Sequence, residues 1–373
     1  MKRGFPLQFK IRRMLKESPL FYRLLPSYVP WEPVGFSFVV TTFCNLKCKM
    51  CARTINGIKP THMKKEVFLK ASKYFKNKEV SFCGLGETLL HPKIFDFLKI
   101  ATSKNAKISF TTNAMLLKED TSKKLLRYNV DSMFISIDGV DGTYNKIRSG
   151  GDFNTVIENI KKLSELKKER GVNKPLLYIS FVGMKSNIED FPKLIEILGP
   201  HIDYIEILHP IVYTKKLLNQ HLNKSIKLAK KVYRESERLA SKYNINLGLR
   251  PLQPHPRGCL EPWTKPHLGI DGKVYPCTLI GGNDGVKFLK EYYEDFTTTL
   301  NLDDFVLGNI MEQDFYEIWN NEKYKKLRKA LKRIFLENMK RKWTNKSYVK
   351  MLKKVGPSIF FCDFCTYRWD CSC

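Results

Sequence analysis

Thr42-Phe43-Cys44-Asn45-Leu46-Lys47-Cys48-Lys49-Met50-Cys51 carries three cysteines at a C-x3-C-x2-C spacing. Cysteine thiolates are the usual protein ligands of iron-sulfur clusters. Three local thiols can hold three irons of a [4Fe-4S] cluster and leave the fourth iron open to a cofactor or substrate. A centre that only carries electrons ordinarily takes a fourth protein ligand. Cys44, Cys48 and Cys51 therefore point to chemistry, and the apolar run before them places the triplet on a loop that leaves a strand.

Outward from that loop, the chain after Pro33 alternates short β-branched or aromatic runs with longer charged amphipathic ones, the mark of repeated βα units on a parallel sheet. Strands are expected near 36–41, 79–83, 107–111, 133–137, 177–182 and 204–208. Helices are expected over Glu66 to Lys76, Pro92 to Ser103, Asp120 to Tyr128, Asn154 to Glu169 and Phe191 to Leu198. Six such units make an α/β fold, an open (β/α)6 partial TIM-like barrel. Reactive groups in parallel barrels sit at the C-terminal ends of strands, and the next motifs all fall there. Phe82-Cys83-Gly84-Leu85-Gly86-Glu87-Thr88 ends the second strand; its glycines let backbone approach a ligand and Glu87 offers a carboxylate. Thr111-Thr112-Asn113 ends the third and reads equally as a capping turn. Ser136-Ile137-Asp138-Gly139 ends the fourth, followed by Tyr144, Ile147, Arg148 and Gly150. An arginine such as Arg148 can grip a carboxylate through two parallel hydrogen bonds. Each of these alone is an ordinary strand end or surface charge; the argument rests on their co-occurrence in order.

This ordered set resembles the radical S-adenosylmethionine (SAM) superfamily. The resemblance implies that Cys44, Cys48 and Cys51 hold a [4Fe-4S] cluster whose open iron chelates SAM. It further implies that Gly84, Gly86 and Glu87 hold the SAM amino group, that Asn113 borders it, and that Ser136, Asp138 and Arg148 contact its ribose and carboxylate. Thr88 stands where the family usually has proline, and Ala114 where it has glycine. In such enzymes an electron from the cluster cleaves SAM to methionine and a 5'-deoxyadenosyl radical, which takes hydrogen from an unactivated position. The barrel positions the substrate and keeps water away.

Cys259-Leu-Glu-Pro-Trp263 leads to Leu268-Gly-Ile-Asp-Gly272-Lys-Val-Tyr-Pro-Cys277, with Asp271-Gly272 placed as a hairpin turn. This resembles the first half of the SPASM domain, the auxiliary-cluster appendage of one radical SAM group, and Leu307-Gly308-Asn309-Ile310 with Glu317-Ile318-Trp319 matches the linker typical of it. Cys362, Cys365, Cys371 and Cys373 close the chain. Six C-terminal thiols are more than the four that one cluster needs and fewer than eight. Either one auxiliary [4Fe-4S] cluster on Cys259, Cys277, Cys362 and Cys365 leaves two over, or a second cluster is incompletely ligated. Cys371 and Cys373 are candidate ligands, structural thiols or hydrogen donors. Cys83 reads as a small buried residue.

The expected organisation is a basic extension over 1–33, the partial barrel over 34–215, a connecting helix over 216–250 whose helical pattern runs from Lys215 to Tyr243, and the SPASM-type domain over 251–373 including the basic helix 321–355. Lys and Arg number 65 against 37 Asp and Glu, a formal net charge of +28. That balance implies attraction to phosphate, nucleic acid or a membrane face, with a Lys-rich solvated surface as the equal alternative. Relatives act on peptides, proteins, sugars or cyclitols, and the basic helix 321–355 tilts the reading toward an anionic substrate such as a phosphorylated sugar or lipid head group. Residues 321–355 carry fourteen Lys/Arg and, at helical spacing, Tyr324, Leu327, Leu331, Ile334 and Phe335, a basic amphipathic helix expected to pack its apolar stripe on the protein. Residues 1–33 are expected to pack across the barrel, with a peripheral membrane surface as the alternative. No apolar run approaches the ~18–20 residues of a spanning helix, and clustered cysteines in such a chain read as metal or redox thiols. A cytoplasmic, oxygen-sensitive enzyme reduced by an external ferredoxin or flavodoxin is the expectation. The competing class is a zinc-ribbon nucleic-acid binder using Cys259, Cys277, Cys362 and Cys365; it leaves the Cys44 triplet unexplained.

Overall fold

The computed structural model describes residues 18–211, 214–252, 259–278 and 305–340. Cys362, Cys365, Cys371 and Cys373, the basic residues up to Lys16 and the basic stretch beyond Lys340 lie outside the described residues.

Strands β1 (Gly35–Phe38), β2 (Glu79–Phe82), β3 (Lys107–Thr112), β4 (Ser132–Ser136), β5 (Leu176–Val182) and β6 (Tyr204–Leu208) stand side by side in chain order, all parallel. All six strands expected from the sequence are present, in an open sheet rather than a closed barrel. A seventh strand, β7 (Asn246–Gly248), extends the far edge beside β6. It was too short for periodicity to mark. Gly248 is required there because a Cβ would lie 2.1 Å from the Tyr204 hydroxyl. At the other edge β8 (His267–Leu268) runs parallel to β1, and β9 (Lys273–Tyr275) and β10 (Gly308–Asn309) follow antiparallel. The Asp271-Gly272 turn lies where expected, with Gly272 at φ 85 and the Asp271 carboxylate accepting the Lys273 N–H. The cysteine hairpin is thus the outer margin of the barrel's own sheet.

Along the strands, large apolar residues alternate with small polar ones. Val80, Phe82, Ile108, Phe110, Met133, Ile135, Leu177, Ile179 and Phe181 are buried against the helices. The alternate positions put Ser37, Ser81, Ser109 and Ser132 in one register row, and Ser136 beside Ser180 in another. Barrel interiors are normally filled by bulky branched side chains. Serines leave this one hollow, with a cavity of about 960 Å3.

Helices Lys65–Ser72, Ile94–Ser103, Glu119–Arg127, Phe153–Glu169 and Asp190–Leu198 cover the outer face near their expected positions. Asp152 starts the fourth by accepting the Thr155 N–H at 2.8 Å. The helix expected from Lys215 to Tyr243 is instead three pieces, Lys215–Leu218, a 3-10 turn Leu222–Lys224, and Ile226–Tyr243. Tertiary pairing breaks it: the Gln220 carbonyl accepts the Lys185 N–H at 2.8 Å, and His221 bridges Met184. The N-terminal segment differs too. Helix Pro19–Leu24 packs on the C-terminal helix Glu322–Lys340 rather than across the barrel, with the Tyr22 ring 3.9 Å from that of Phe335 and edge-on to Trp263. Tyr324, Leu327, Leu331 and Phe335 are buried as expected.

Candidate functional site

The loop after β1 is fixed before any ligand is considered. The Thr42 hydroxyl donates to the Lys59 carbonyl at 2.8 Å and accepts the Thr61 N–H at 2.8 Å, clamping residues 59–61 alongside. Lys47–Cys48 then pairs antiparallel with Arg148–Ser149, which sets Cys48 opposite Arg148. Cys51 precedes the short helix Ala52–Asn56. Met50, Ile147, Met184 and Leu217 form an apolar group against which Cys48 packs.

Around this loop lies a cavity of about 270 Å3. Its lining includes Cys44, Cys48, Cys51, Gly84, Gly86, Glu87, Asn113, Ser136 and Arg148. The structure thus gathers these residues, named from the sequence, from the ends of four strands. Asp138 is the exception. It is fully buried beneath the cavity, where its carboxylate accepts the Val182 N–H at 2.7 Å and pairs with Arg148 at 2.6 Å. Burial works against the Arg148 charge, but the Asp138 carboxylate together with Cys48 and Tyr144 outweighs it, and the guanidinium is held above its usual pKa.

Two donors point at the sulfurs. The Arg148 Nη1 lies 3.9 Å from Cys48 Sγ, and the Asn113 Nδ2 lies 3.8 Å from Cys44 Sγ. Asn113 also donates to the Asn45 side chain at 2.8 Å. Burial pushes the Cys48 thiol up to about 11 and raises Cys44 as well. Metal entry must therefore displace their protons. Glu87 is a hub: one oxygen accepts the Thr112 hydroxyl at 2.7 Å and the other the Asn113 N–H at 2.7 Å. Burial raises its pKa against those bonds. Gly86 is locked against the loop, since a Cβ there would meet the Thr41 carbonyl at 2.2 Å.

The thiol cavity and the hollow interior share Thr111, Ser136, Leu208 and Arg250. Arg250 is held by Glu206 at 3.1 Å, and Glu206 accepts the Ser180 hydroxyl at 3.3 Å. The interior wall continues to Glu261, Lys265 and Thr278, residues that flank Cys259 and Cys277. Lys265 donates to Ser81 at 2.8 Å and to Glu79 at 3.2 Å, tying that hairpin to the lumen. Sequence reading quoted Thr112 without giving it a role, and missed His209 and Arg250. His209 directly follows β6, where the strand-end rule could have found it; Arg250 follows a strand too short to be marked. Among the described residues no three His, Cys, Asp or Glu side chains already stand at single-metal spacing. The described residues nonetheless suit a thiolate-held cluster: three thiols on one cavity, with an arginine and an amide facing sulfur.

The family model for the radical SAM superfamily matches residues 38–198, and the model for SPASM, an iron-sulfur cluster-binding domain, matches residues 259–350. The tungsten-containing aldehyde ferredoxin oxidoreductase cofactor-modifying protein of Pyrococcus furiosus is 25% identical over 293 residues, 76% of this chain and 80% of that one. The AdoMet-dependent heme synthase of Methanosarcina barkeri is 24% identical over 338 residues, 81% and 85% of the two chains. Among solved structures, Streptococcus suis SuiB bound to the precursor peptide SuiA matches with a TM-score of 0.59 at 18% identity, covering 86% of this chain and 71% of that chain. At that identity the likeness speaks for the fold.

Proposed function

Because this chain belongs to the radical SAM superfamily and carries a SPASM domain, we propose that it is an enzyme acting on a substrate held in the hollow of its barrel, between the Cys44 loop and the Cys259–Cys277 hairpin. The radical SAM domain takes SAM and a [4Fe-4S] cluster, and the SPASM domain takes auxiliary iron-sulfur clusters. Bound there, the cluster and SAM would supply radical chemistry for the removal of a hydrogen atom from an unactivated position of the substrate.

The observation that carries this reading is that the two cavities are neighbours sharing the lining residues Thr111, Ser136, Leu208 and Arg250. In it, Cys44, Cys48 and Cys51 hold the cluster. Gly84, Gly86 and Glu87 present backbone and carboxylate to the SAM amino group, and Ser136 and Arg148 face its ribose and carboxylate. Asp138 positions Arg148. Arg250, braced by Glu206, meets an anionic or hydrogen-bonding group of the substrate at the junction and orients it. The serine rows accept a polar molecule, and the Phe134, Tyr178 and Tyr204 rings, stacked or edge-on at 5.0 and 5.3 Å, form one aromatic wall. Cys259 and Cys277, whose neighbours Glu261, Lys265 and Thr278 line the opposite wall, would supply ligands to an auxiliary cluster together with Cys362 and Cys365, which lie outside the described residues. Peptides fit the reading, since one structural neighbour was solved with its precursor peptide; so do small polar or anionic molecules. A zinc-ribbon reading is not favoured, because it gives the Cys44 cavity no role.

The test is anaerobic incubation of the reconstituted protein with SAM and dithionite. Formation of 5'-deoxyadenosine by wild type, and none by the Cys44→Ala/Cys48→Ala/Cys51→Ala variant, is expected. Colourless, zinc-loaded protein that leaves SAM intact would sink the proposal.

A further inference from the structure

We infer that the hollow of the barrel has a second mouth, at the end away from the Cys44 loop, and that this mouth holds the carboxylate- or phosphate-bearing tail of an elongated ligand. On the proposed function, this narrows the substrate from any polar molecule to one long enough to span the barrel. Chemistry at the C-terminal ends of the strands needs an opening only at that end. The cavity of about 960 Å3 nevertheless runs the length of the sheet. Ser136 and Leu208 line it where β4 and β6 end, and Glu79 and Lys107 line it where β2 and β3 begin. Lys107, Lys168 and Lys174 both line the cavity and are exposed, so it reaches solvent there.

The carboxylates at this mouth are already taken. Asp131 accepts the Ile108 N–H at 2.8 Å and pairs with Lys174. Asp203 accepts the Leu177 N–H at 2.9 Å and pairs with Lys167 at 3.5 Å, while Lys265 holds Glu79 at 3.2 Å. Lys107 and Lys168 make no ion pair among the described residues, so positive charge is left over at the opening. Inward from it the lining changes in bands. Ser37, Ser81, Ser109 and Ser132 share one register row. Phe134, Tyr178 and Tyr204 share the row two residues further on, and Ser136, Ser180 and Glu206 the row beyond that. Glu206 in turn braces Arg250 beside the thiol cavity. The seven residues of β5 span roughly 23 Å at about 3.3 Å per residue. A compact ring seated at Arg250 leaves the lysines empty, whereas about six extended residues reach from one end to the other. A lysine ammonium is a point charge without the fork that selects a planar carboxylate, so the mouth suits a tail with several oxyanions of either kind.

The test reads binding rather than turnover, on the full chain without SAM and at physiological ionic strength, where loose surface attraction is screened. The probes are hexaglutamate for a carboxylate tail and linear hexaphosphate for a phosphate tail. Calorimetry should show at least one of them bound, about tenfold more weakly by Lys107→Glu/Lys168→Glu and within about twofold of wild type by Lys47→Glu/Lys49→Glu at the thiol loop. Acetylation followed by mass spectrometry should slow at Lys107 and Lys168 when the probe is bound, and not at Lys47. Ser109→Phe fills the first serine band and should also weaken binding by about tenfold, because the tail enters the hollow. Where a denaturation curve shows that this variant does not fold, Ser109→Leu replaces it. The probe that meets all these conditions gives the chemistry of the tail. Failure of both probes to bind, or protection spread evenly over the lysines, would overturn the inference. Binding indifferent to residue 109 would overturn it too, since the lysines would then be a surface patch and not a mouth. No step here depends on SAM, so absence of 5'-deoxyadenosine would count against the proposed function alone.

Discussion

Arg148 and Asp138 form an ion pair at 2.6 Å in which the carboxylate is fully buried, while the other guanidinium nitrogen of Arg148 stands 3.9 Å from the sulfur of Cys48. One buried contact thus sets the position of a charge beside a candidate iron ligand. Removing one partner leaves an uncompensated buried charge, which ordinarily costs about 3–5 kcal/mol. Asp138→Asn should therefore lower the denaturant midpoint by a corresponding amount. The double variant Asp138→Leu/Arg148→Met should recover much of that loss while still lacking SAM affinity, measured by equilibrium binding. A double variant no more stable than the single one would show that the pair matters for something other than its charge.

Iron content separates the two groups of thiols. After anaerobic reconstitution, wild type should hold about 8 iron per chain and the Cys44→Ala/Cys48→Ala/Cys51→Ala variant about 4, one four-iron cluster in each place. A variant without iron would mean that the C-terminal thiols bind no cluster alone.

Ser109 and Phe110 are neighbours facing opposite sides of β3, one toward the hollow and one toward the helices. Phe110→Ala should destabilise by about 3–5 kcal/mol because it empties a packed site. Ser109→Phe places a larger ring in open space and should change stability by about 1 kcal/mol or less, below the usual overpacking cost. Chemical denaturation of the two variants decides whether the interior is hollow in solution.

His267 is fully buried on β8, and among the described residues neither ring nitrogen has a hydrogen-bond partner. Burial, reinforced by the charge of Lys265, lowers its pKa to about 3. The folded state therefore holds the ring neutral while the unfolded state protonates near its ordinary value. Stability from this group is complete above about pH 6.5 and is lost as pH falls toward 3, by about 1.4 kcal/mol per pH unit. His267→Phe should flatten that acid limb and raise the midpoint at pH 7, since it removes two buried unpartnered nitrogens. Urea titrations at pH 7 and pH 5 measure both effects. An unchanged acid slope would show that the ring is solvated.

The parallel sheet, its strand ends and the cysteine spacing were legible because they are written in local pattern: alternation for strands, glycines and polar residues at their ends, thiols a few residues apart. Asp138 shows the limit. Its position in the motif suggested a ligand contact, but which strand-end carboxylate faces the cavity and which lies beneath it depends on Val182 and Arg148, residues that only the fold brings near. Arg328 shows it again. Within a helix read as a basic face, it is fully buried between the Trp319 and Tyr324 rings at 4.3 and 4.4 Å and donates to the Pro262 and Ser27 carbonyls. Charge counted along a sequence says nothing about which cation the core will take. The break at Gln220 and His221 was equally hidden, because it comes from pairing with Met184 and Lys185 rather than from helix propensity.

The pairing of Ser37 with His267 carries a consequence for how the chain is made. The strand that delivers the Cys44 loop leaves the ribosome long before its outer neighbour, so during synthesis its free backbone groups face water as an open margin, ready to pair wrongly. Only when the second cysteine region emerges is that margin closed. A nascent chain halted before residue 267 should therefore carry the Cys44 loop beside an unpaired edge of β1.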